Sequence, residues 1–243
     1  MKIGVTGARG RIGEKLIERL KEEHQVVTFG RNNCDFPWTL GVIPAPDLLK
    51  DLDVFIHLAW SLRDRVKDYH LNVGGTLLLA QAARNSKIPF LFVSSLAATS
   101  FSEYGKSKAA AEKLVLEESG HIIRFGLVPE FNSYTNSKVR PVAFYISLPK
   151  PIETTRFELI CESIEDWIKS AKNELGLSWY LTVLSGESSS KNLFAKNSKL
   201  ALPVPSVIIR LILRVSMPFS LRARNLYDAF KTITTIGTIQ DEV

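Results

Sequence analysis

Lys2-Ile3-Gly4-Val5-Thr6-Gly7-Ala8-Arg9-Gly10-Arg11-Ile12-Gly13 is the stretch whose reading decides the fold. Residues 2–6 form a short apolar run that stops at Gly7, and beyond it Ile12, Leu16, Ile17 and Leu20 recur at helical spacing. Strand, tight turn and helix follow in that order. Gly7, Gly10 and Gly13 lie in the turn in a G-x-x-G-x-x-G spacing. Glycines so placed allow a sharp turn, a close approach of backbone to a pyrophosphate and tight packing of helix on strand, and the helix N-terminus offers free N–H groups to phosphate oxygens. Alone, the spacing also fits a glycine-rich turn with no ligand. The flanking strand and helix select the dinucleotide reading, with Arg9, Arg11 and Ile12 in the contacting turn.

Outward from this unit, a second strand, Gln25 to Phe29, ends at Gly30-Arg31. An acid near this point holds the ribose 2′-hydroxyl in NAD-selective sites, whereas an arginine accommodates a 2′-phosphate. No acid stands there, so Arg31, helped by Arg9 or Arg11, favours NADP over NAD. Apolar residues make up 45% of the chain and charged residues 23%, and no Pro/Gly/Ser-rich linker divides it. The expected fold is α/β: a doubly wound, Rossmann-type parallel sheet with a small C-terminal substrate-binding lobe. We read residues 1–243 as one compact unit, with 1–130 as the NAD(P)-binding core and 131–243 as the remainder of the core plus that lobe.

Four further segments add a family. They are His57-Leu58-Ala59-Trp60 after the strand Asp53 to Leu58, Asn72-Val73-Gly74-Gly75-Thr76, the strand Pro89 to Val93 leading into Ser94-Ser95, and Tyr104-Gly105-Lys106-Ser107-Lys108. Together they resemble the extended branch of the short-chain dehydrogenase/reductase superfamily, the NAD-dependent epimerases, dehydratases and reductases of nucleotide sugars. The resemblance is strong from Met1 to about Val128, where Arg124-Phe125-Gly126-Leu127-Val128 is similar to the family's R-P-x-x-V segment. Beyond, it thins to Phe157 to Cys161 followed by a helix, and to Leu184-Ser185-Gly186-Glu187. It implies that Asp35 and the neighbouring backbone at Phe36 contact adenine, and that Leu58, Ala59, Trp60, Ser94, Phe125 and Val128 line the cofactor. It also implies that Asn72 lies on the helix supporting the active site.

The Tyr104/Lys108 pair has a physical logic of its own. An i,i+4 spacing puts both side chains on one helical face, where the Lys108 ammonium favours phenolate and lowers the phenol's pKa. By resemblance Tyr104 is the general acid/base for a substrate hydroxyl or carbonyl, Lys108 also bonds the nicotinamide ribose, and hydride passes between substrate carbon and nicotinamide. Ser95, at the C-terminal end of a buried strand where ligands of open α/β sheets collect, holds the same oxygen. Ser94 and Thr99 are its near rivals, and Tyr-x-x-x-Lys pairs also occur on exposed helices with no such role. The histidines, His24, His57, His70 and His121, read as structural or solvated, because tyrosine chemistry needs no imidazole.

The chain departs from the family pattern in ways that bear on its reaction. Ser95 and Tyr104 are nine positions apart, trimming a loop that usually contacts substrate, Phe125 replaces the family's proline, and Pro129-Glu130 replaces its Tyr-Gly. Leu96-Ala97 stands where 4,6-dehydratases carry a carboxylate pair, which leaves a 4-epimerase or a ketoreductase of a nucleotide-linked sugar. The alternative is a non-catalytic NAD(P)-binding redox sensor of the same fold.

Cys34 and Cys161 are far apart and in no CxxC pattern, so neither a disulfide framework nor a metal site is expected. With no signal-like N-terminus and no apolar run of membrane-span length, the expected location is cytoplasmic. The net charge is +6, and from Lys191 to Lys231 eight Lys/Arg face one acid, Asp228. A basic C-terminal face argues against a nucleic-acid-coating protein and for a phosphorylated substrate or an anionic membrane surface. Within it, Ser206 to Val215 follows Pro203 and Pro205 and stops before Pro218, with Arg210 and Arg214 on one helical face. Two readings stay open: a helix packed in the substrate lobe, its arginines reaching solvent or a pyrophosphate, or an interfacial helix on anionic lipid. Oligomeric state stays open too; the resemblance suggests a homodimer through the helices bearing Asn72 and Tyr104.

Overall fold

The computed structural model describes residues 1–65, 67–131, 140–148, 150–172, 181–189, 191, 198–216, 218 and 220–236. Lys196, one of the basic residues counted above, lies outside them. The strands run β1 (Lys2–Thr6), β2 (Gln25–Gly30), β3 (Phe36–Pro37), β4 (Val54–His57), β5 (Phe90–Val93), β6 (His121–Phe125), β7 (Arg140–Ser147), β8 (Ile152–Thr154), β9 (Leu181–Leu184), β10 (Gly186–Ser188) and β11 (Ser198–Pro205). The α-helices are α1 (Arg11–Leu20), α2 (Pro46–Leu49), α3 (Tyr69–Asn85), α4 (Glu103–Glu117), α5 (Phe157–Lys172), α6 (Ser206–Ser216) and α7 (Leu221–Thr235).

Seven strands form one sheet in the order β3-β2-β1-β4-β5-β6-β9, with every neighbouring pair parallel. A parallel sheet needs a crossover between neighbours and is covered on both faces, which is why β4, β5 and β6 are buried along their whole length. Alternate side chains go to opposite faces. Val54, Ile56, Leu91 and Val93 pack with Leu16 of α1 and Ile160 of α5, while Phe55, Phe90 and Phe92 pack with Leu79 of α3 and Val115 of α4. Each fully buried Leu, Ile or Phe side chain contributes about 1.5–3 kcal/mol by leaving water.

Because β1 lies between β2 and β4, chain connections leave it in both directions, and a crevice opens beyond the strands' carboxyl ends. The glycine turn after β1 and the segment Leu58 to Trp60 after β4 meet there. The segment after β6 is fixed by Thr155, whose hydroxyl takes the Gly126 amide at 2.9 Å and donates to the Leu184 carbonyl at 2.7 Å.

Two small sheets, β8 with β10 and β7 with β11, accompany α6 and α7 in the C-terminal part. The helix α6 spans the residues expected from the flanking prolines, but most of its apolar side chains face outward beside its arginines. Ser206, Ile209, Leu213 and Ser216 are half-buried, and Val207, Ile208, Leu211, Ile212 and Val215 point to solvent, Val215 being 71% exposed. None of its residues is buried, so it is not enclosed in the lobe as a core helix would be.

Candidate active site

The phosphate cradle follows from steric limits at two glycines. Gly7 has a φ of +74°, and a Cβ there would come within 2.7 Å of the Leu58 carbonyl carbon and the Ala59 nitrogen. A Cβ on Gly13 would meet the Gly7 oxygen at 2.2 Å, so α1 can lie against the turn only as glycine. Gly10 donates its amide to the Gly7 carbonyl at 2.9 Å and is the N-cap of α1 without a side-chain cap, which leaves first-turn amides facing the crevice for an anion. These residues therefore fit a dinucleotide pyrophosphate. Arg9 is exposed at the rim, Ile12 is half-buried against the core, and Arg11 closes one side by donating to the Phe131 carbonyl at 2.9 Å.

A buried chain of hydroxyls and one imidazole sets the opposite wall. The Thr6 hydroxyl accepts from the Leu58 and Ala59 amides, both at 3.2 Å, and lies 2.7 Å from His57 Nδ1. Thr76 donates its own proton to the Asn72 carbonyl at 2.8 Å, so its oxygen accepts from His57 Nε2 at 3.1 Å. Donor arithmetic thus assigns His57 as the neutral Nε2–H tautomer, taking a proton from Thr6 at Nδ1. Burial, with Lys108 nearby, pushes its pKa down to about 3. The imidazole is a structural spacer. Asn72 continues the wall: its amide takes the Ser61 N–H at 2.8 Å and donates to the Ser61 carbonyl at 2.9 Å. Buried at 2% exposure, it acts on the site through the Leu58 to Ser61 segment rather than by facing the crevice.

At the end of β2, Arg31 is exposed and lines an open cavity with Pro37, Trp38, Thr39 and Val42. Asp35 is engaged locally. Its carboxylate accepts from the Thr28 amide and hydroxyl, both at 2.8 Å, which holds it below the usual carboxylate range and locks the β2–β3 corner where Phe36 pairs with Phe29. Phe125 and Val128 are core residues, 7% and 6% exposed.

The candidate residues Ser95, Tyr104 and Lys108 come together around the first turns of α4. Ser102 caps it by accepting from the Gly105 amide at 2.9 Å, and a Cβ on Gly105 would strike the Ala97 carbonyl at 2.1 Å, so the helix lies directly on the 3-10 turn Leu96–Thr99. That contact brings Tyr104 beside Ser95, the N-cap of the turn, close enough for Ser95 to draw the phenol's pKa down. The Tyr104 ring meets Trp60 edge-on, with centroids 6.4 Å apart. Lys108 is buried at 4% exposure, donates to the Val93 carbonyl at 3.0 Å and lies 3.8 Å from the centre of the Trp60 ring. Burial lowers its pKa to about 7, against the pull of Glu112.

Two features differ from the sequence expectation. The Tyr104 phenol lies above its ordinary value, not below it, because burial raises it more than Ser95 and Arg65 draw it down. A cation does lie over its ring, but it is Arg65, whose Cζ is 5.2 Å from the ring centre. Ser94 turns inward: its hydroxyl donates to Glu112, which also takes Arg124 Nη2 at 2.6 Å and Arg124 Nε at 2.9 Å. A carboxylate at 5% exposure requires those donors, so the Ser94 hydroxyl serves the interior.

Sequence reasoning also missed Asp228 of α7. Its oxygens accept from the Glu103 amide at 2.7 Å, the Tyr104 amide at 3.3 Å and Arg65 Nη1 at 3.0 Å. The one available signal was its isolation as the single acid in a basic stretch.

The sequence model of the NAD dependent epimerase/dehydratase family matches residues 3–134. A curated relative, the UDP-2-acetamido-2,6-beta-L-arabino-hexul-4-ose reductase of Pseudomonas aeruginosa, is 36% identical over 120 residues, which cover 46% of this chain and 30% of the relative. The chain thus spans less than a third of that relative's length in the match. Among solved structures, the dTDP-4-dehydrorhamnose reductase of Yersinia enterocolitica superposes with a TM-score of 0.66 at 20% identity, covering 85% of each chain. The dTDP-4-dehydrorhamnose reductase of Bacillus anthracis, solved in complex with NADP, gives 0.64 at 20% identity, again over 85% of each. With a matched family model over more than half its length, a glycine cradle shaped for a pyrophosphate and the parallel sheet of those structures, the chain belongs to the NAD(P)-binding NAD-dependent epimerase/dehydratase family.

Proposed function

We propose that the chain is an NADPH-dependent ketoreductase of a nucleotide-linked sugar, with Tyr104 as the proton donor. The observation that carries the reading is the placement of Tyr104: the capped first turn of α4 sets it beside Ser95, with its ring edge-on to Trp60, whose face Lys108 underlies. A reduction needs an acid at the carbonyl oxygen, whereas an epimerisation begins by taking a proton from a hydroxyl. We read Tyr104 as the acid of a reduction rather than the base of a 4-epimerase because the three similar proteins described above are all reductases by name.

The dinucleotide, when bound, supplies the hydride. Gly7, Gly10 and Gly13 would hold its pyrophosphate, Leu58 to Trp60 would line it, and Arg31 would take a 2′-phosphate, which is the basis for NADP over NAD. Ser95 holds the carbonyl oxygen, Tyr104 gives it the proton, and Lys108, under the Trp60 face, supplies a positive charge beneath the site as it takes up a proton near pH 7. The test is consumption of NADPH with UDP- or dTDP-linked 4-ketosugars. Wild-type protein turns over, and Tyr104→Phe loses about 10²–10⁴-fold in kcat while binding NADPH normally. Full activity of Tyr104→Phe would sink the mechanism. Bound NADPH with no turnover of either sugar class would favour the binding-only sensor.

For the C-terminal face we propose contact with an anionic bilayer. The outward stripe Val207, Ile208, Leu211, Ile212 and Val215 is flanked by exposed Arg210 and Arg214. Self-pairing through this face would bring like charges together, whereas anionic headgroups complement them. No helix among the described residues is long and apolar enough to cross a membrane, so the contact is peripheral. Sedimentation with phosphatidylglycerol vesicles should retain wild type and lose Leu211→Glu about tenfold. Equal retention on phosphatidylcholine, or none on either, would overturn the contact.

A further inference from the structure

The C-terminal helix reaches the reactive end of α4 through two side chains on one face. Asn225 accepts from the Arg65 amide at 3.4 Å and donates to the Arg63 carbonyl at 3.0 Å, and Asp228, three residues on, takes the Glu103 amide, the Tyr104 amide and the Arg65 guanidinium. Glu103 and Tyr104 open α4, so their amides have no acceptor within the helix, and Ser102 already serves the Gly105 amide. Asp228 supplies the missing acceptors from the far end of the chain. Its carboxylate is 10% exposed and stands at the positive end of the α4 dipole, so two sources of positive charge, the helix end and Arg65, offset its burial. Held this way, Arg65 rests against the Tyr104 ring.

We infer that Asp228 is a positioning residue for the reaction: through the two α4 amides it fixes where the Tyr104 hydroxyl stands, and through Arg65 it fixes the charge beside that ring. This rests on Tyr104 being the acid, and it gives the C-terminal helix a part in the chemistry. Activity would then depend on α7 even though the cradle, six of the sheet's seven strands and Ser95, Tyr104 and Lys108 all lie before residue 130.

The experiment reads the Tyr104 hydroxyl directly. Full-length protein is labelled with 3-fluorotyrosine, whose more acidic phenol titrates within the protein's stable range, and the resonance of position 104 is assigned by its absence from Tyr104→Phe. The fluorine titration, NADPH affinity and kcat are then measured for Asp228→Ala, Asp228→Asn and Arg65→Gln. The expected result is an upward move of the Tyr104 midpoint by roughly half a pH unit or more in Arg65→Gln, as the neighbouring cation is lost, and a comparable move in Asp228→Ala, upward where the freed Arg65 leaves the ring and downward where it stays without its counter-charge. The double variant moves no further than the larger single one, because Asp228 acts on that charge through Arg65. NADPH affinity stays within about twofold, since the cradle is untouched, while kcat falls about tenfold or more, less in Asp228→Asn, which keeps an acceptor for one amide. Unchanged Tyr104 midpoints in the three variants overturn the inference. A shifted midpoint in a protein whose Tyr104→Phe variant remains fully active upholds the coupling and removes the catalytic reading, so the two failures are told apart. Should Asp228→Ala not fold, Asp228→Asn, which keeps the side chain's shape and removes its charge, carries the same test.

Discussion

Two buried carboxylates serve the helix that bears Tyr104, and they do different work. Glu112 lies on its inner side with Ser94 and Arg124, at side-chain exposures of 5% for the glutamate and 6% for the arginine. All three lie before residue 130, and the pair holds α4 to β5 and β6. Asp228 touches the outer end of the same helix from α7, with side-chain exposures of 10% for itself and 18% for Arg65, and joins residues 163 positions apart. The inner pair is a closed interior knot, whereas the outer pair borders the crevice and acts on Tyr104. On the proposed reading, one sets stability and the other the geometry of the acid.

Breaking the inner pair should give the largest effect on folding. Arg124→Leu leaves the Glu112 carboxylate buried with Ser94 alone, a loss of about 3–5 kcal/mol. Urea denaturation should show the midpoint collapsing for Arg124→Leu, with Asp228→Ala losing about 1–2 kcal/mol by comparison. Equal losses in the two variants would erase the distinction between the pairs.

Lys108 sharpens the comparison, since it is a buried charge with no carboxylate hydrogen-bonded to it among the described residues. Its folded pKa of about 7 lies below the ordinary 10.5, so between those values the unfolded chain binds the extra proton. Stability therefore rises as pH climbs from 7 to 10.5, and below 7 the full penalty is present. Lys108→Met should raise the melting temperature at pH 7, by an amount that shrinks toward pH 10, while kcat collapses. A variant no more stable than wild type at pH 7 would mean that the Trp60 face and the Val93 carbonyl already offset the desolvation.

What was legible in the sequence was whatever local spacing decides. The order of strand, turn and helix around Gly7, the apolar runs of β4 and β5, and the shared face of Tyr104 and Lys108 all depend on residues a few positions apart, and the fold keeps them. Hidden were the partnerships closed by the tertiary structure. Glu112 reads as an ordinary surface residue of an Ala-rich helix, and only the crossing of β6 reveals Arg124 beside it. Arg65 and Asp228 carry no sign of each other in sequence. The direction of the Tyr104 shift was hidden for the same reason: spacing shows that Lys108 is near, but not that burial outweighs every charge around the phenol. For α6, periodicity gave an apolar stripe without saying which way it points.

The smallest expected effect comes from the β2–β3 corner, where Asp35 is far more exposed than either buried carboxylate. Its carboxyl is held below the usual range by the Thr28 amide and hydroxyl, so the bond stabilises the fold above the ordinary pKa of 3.8 and is lost as pH falls through the lower folded value. Solvent screens this corner, and Asp35→Asn, which keeps an acceptor for the Thr28 amide, should move the melting temperature at pH 7 by only about 1–3 °C. The same substitution should weaken NADPH binding if the backbone at Phe36 contacts adenine, because that backbone is positioned by the Asp35 amide donating to Thr28 at 2.9 Å. Calorimetric titration of NADPH against Asp35→Asn and Arg31→Ala separates the two parts of the corner. Arg31→Ala should lose about tenfold for NADPH and little for NADH, whereas Asp35→Asn should lose a smaller factor equally for both. Equal losses for both dinucleotides in Arg31→Ala would return the chain to NAD, and a selective loss in Asp35→Asn would mean that this carboxylate, rather than Arg31, sets which dinucleotide the corner accepts.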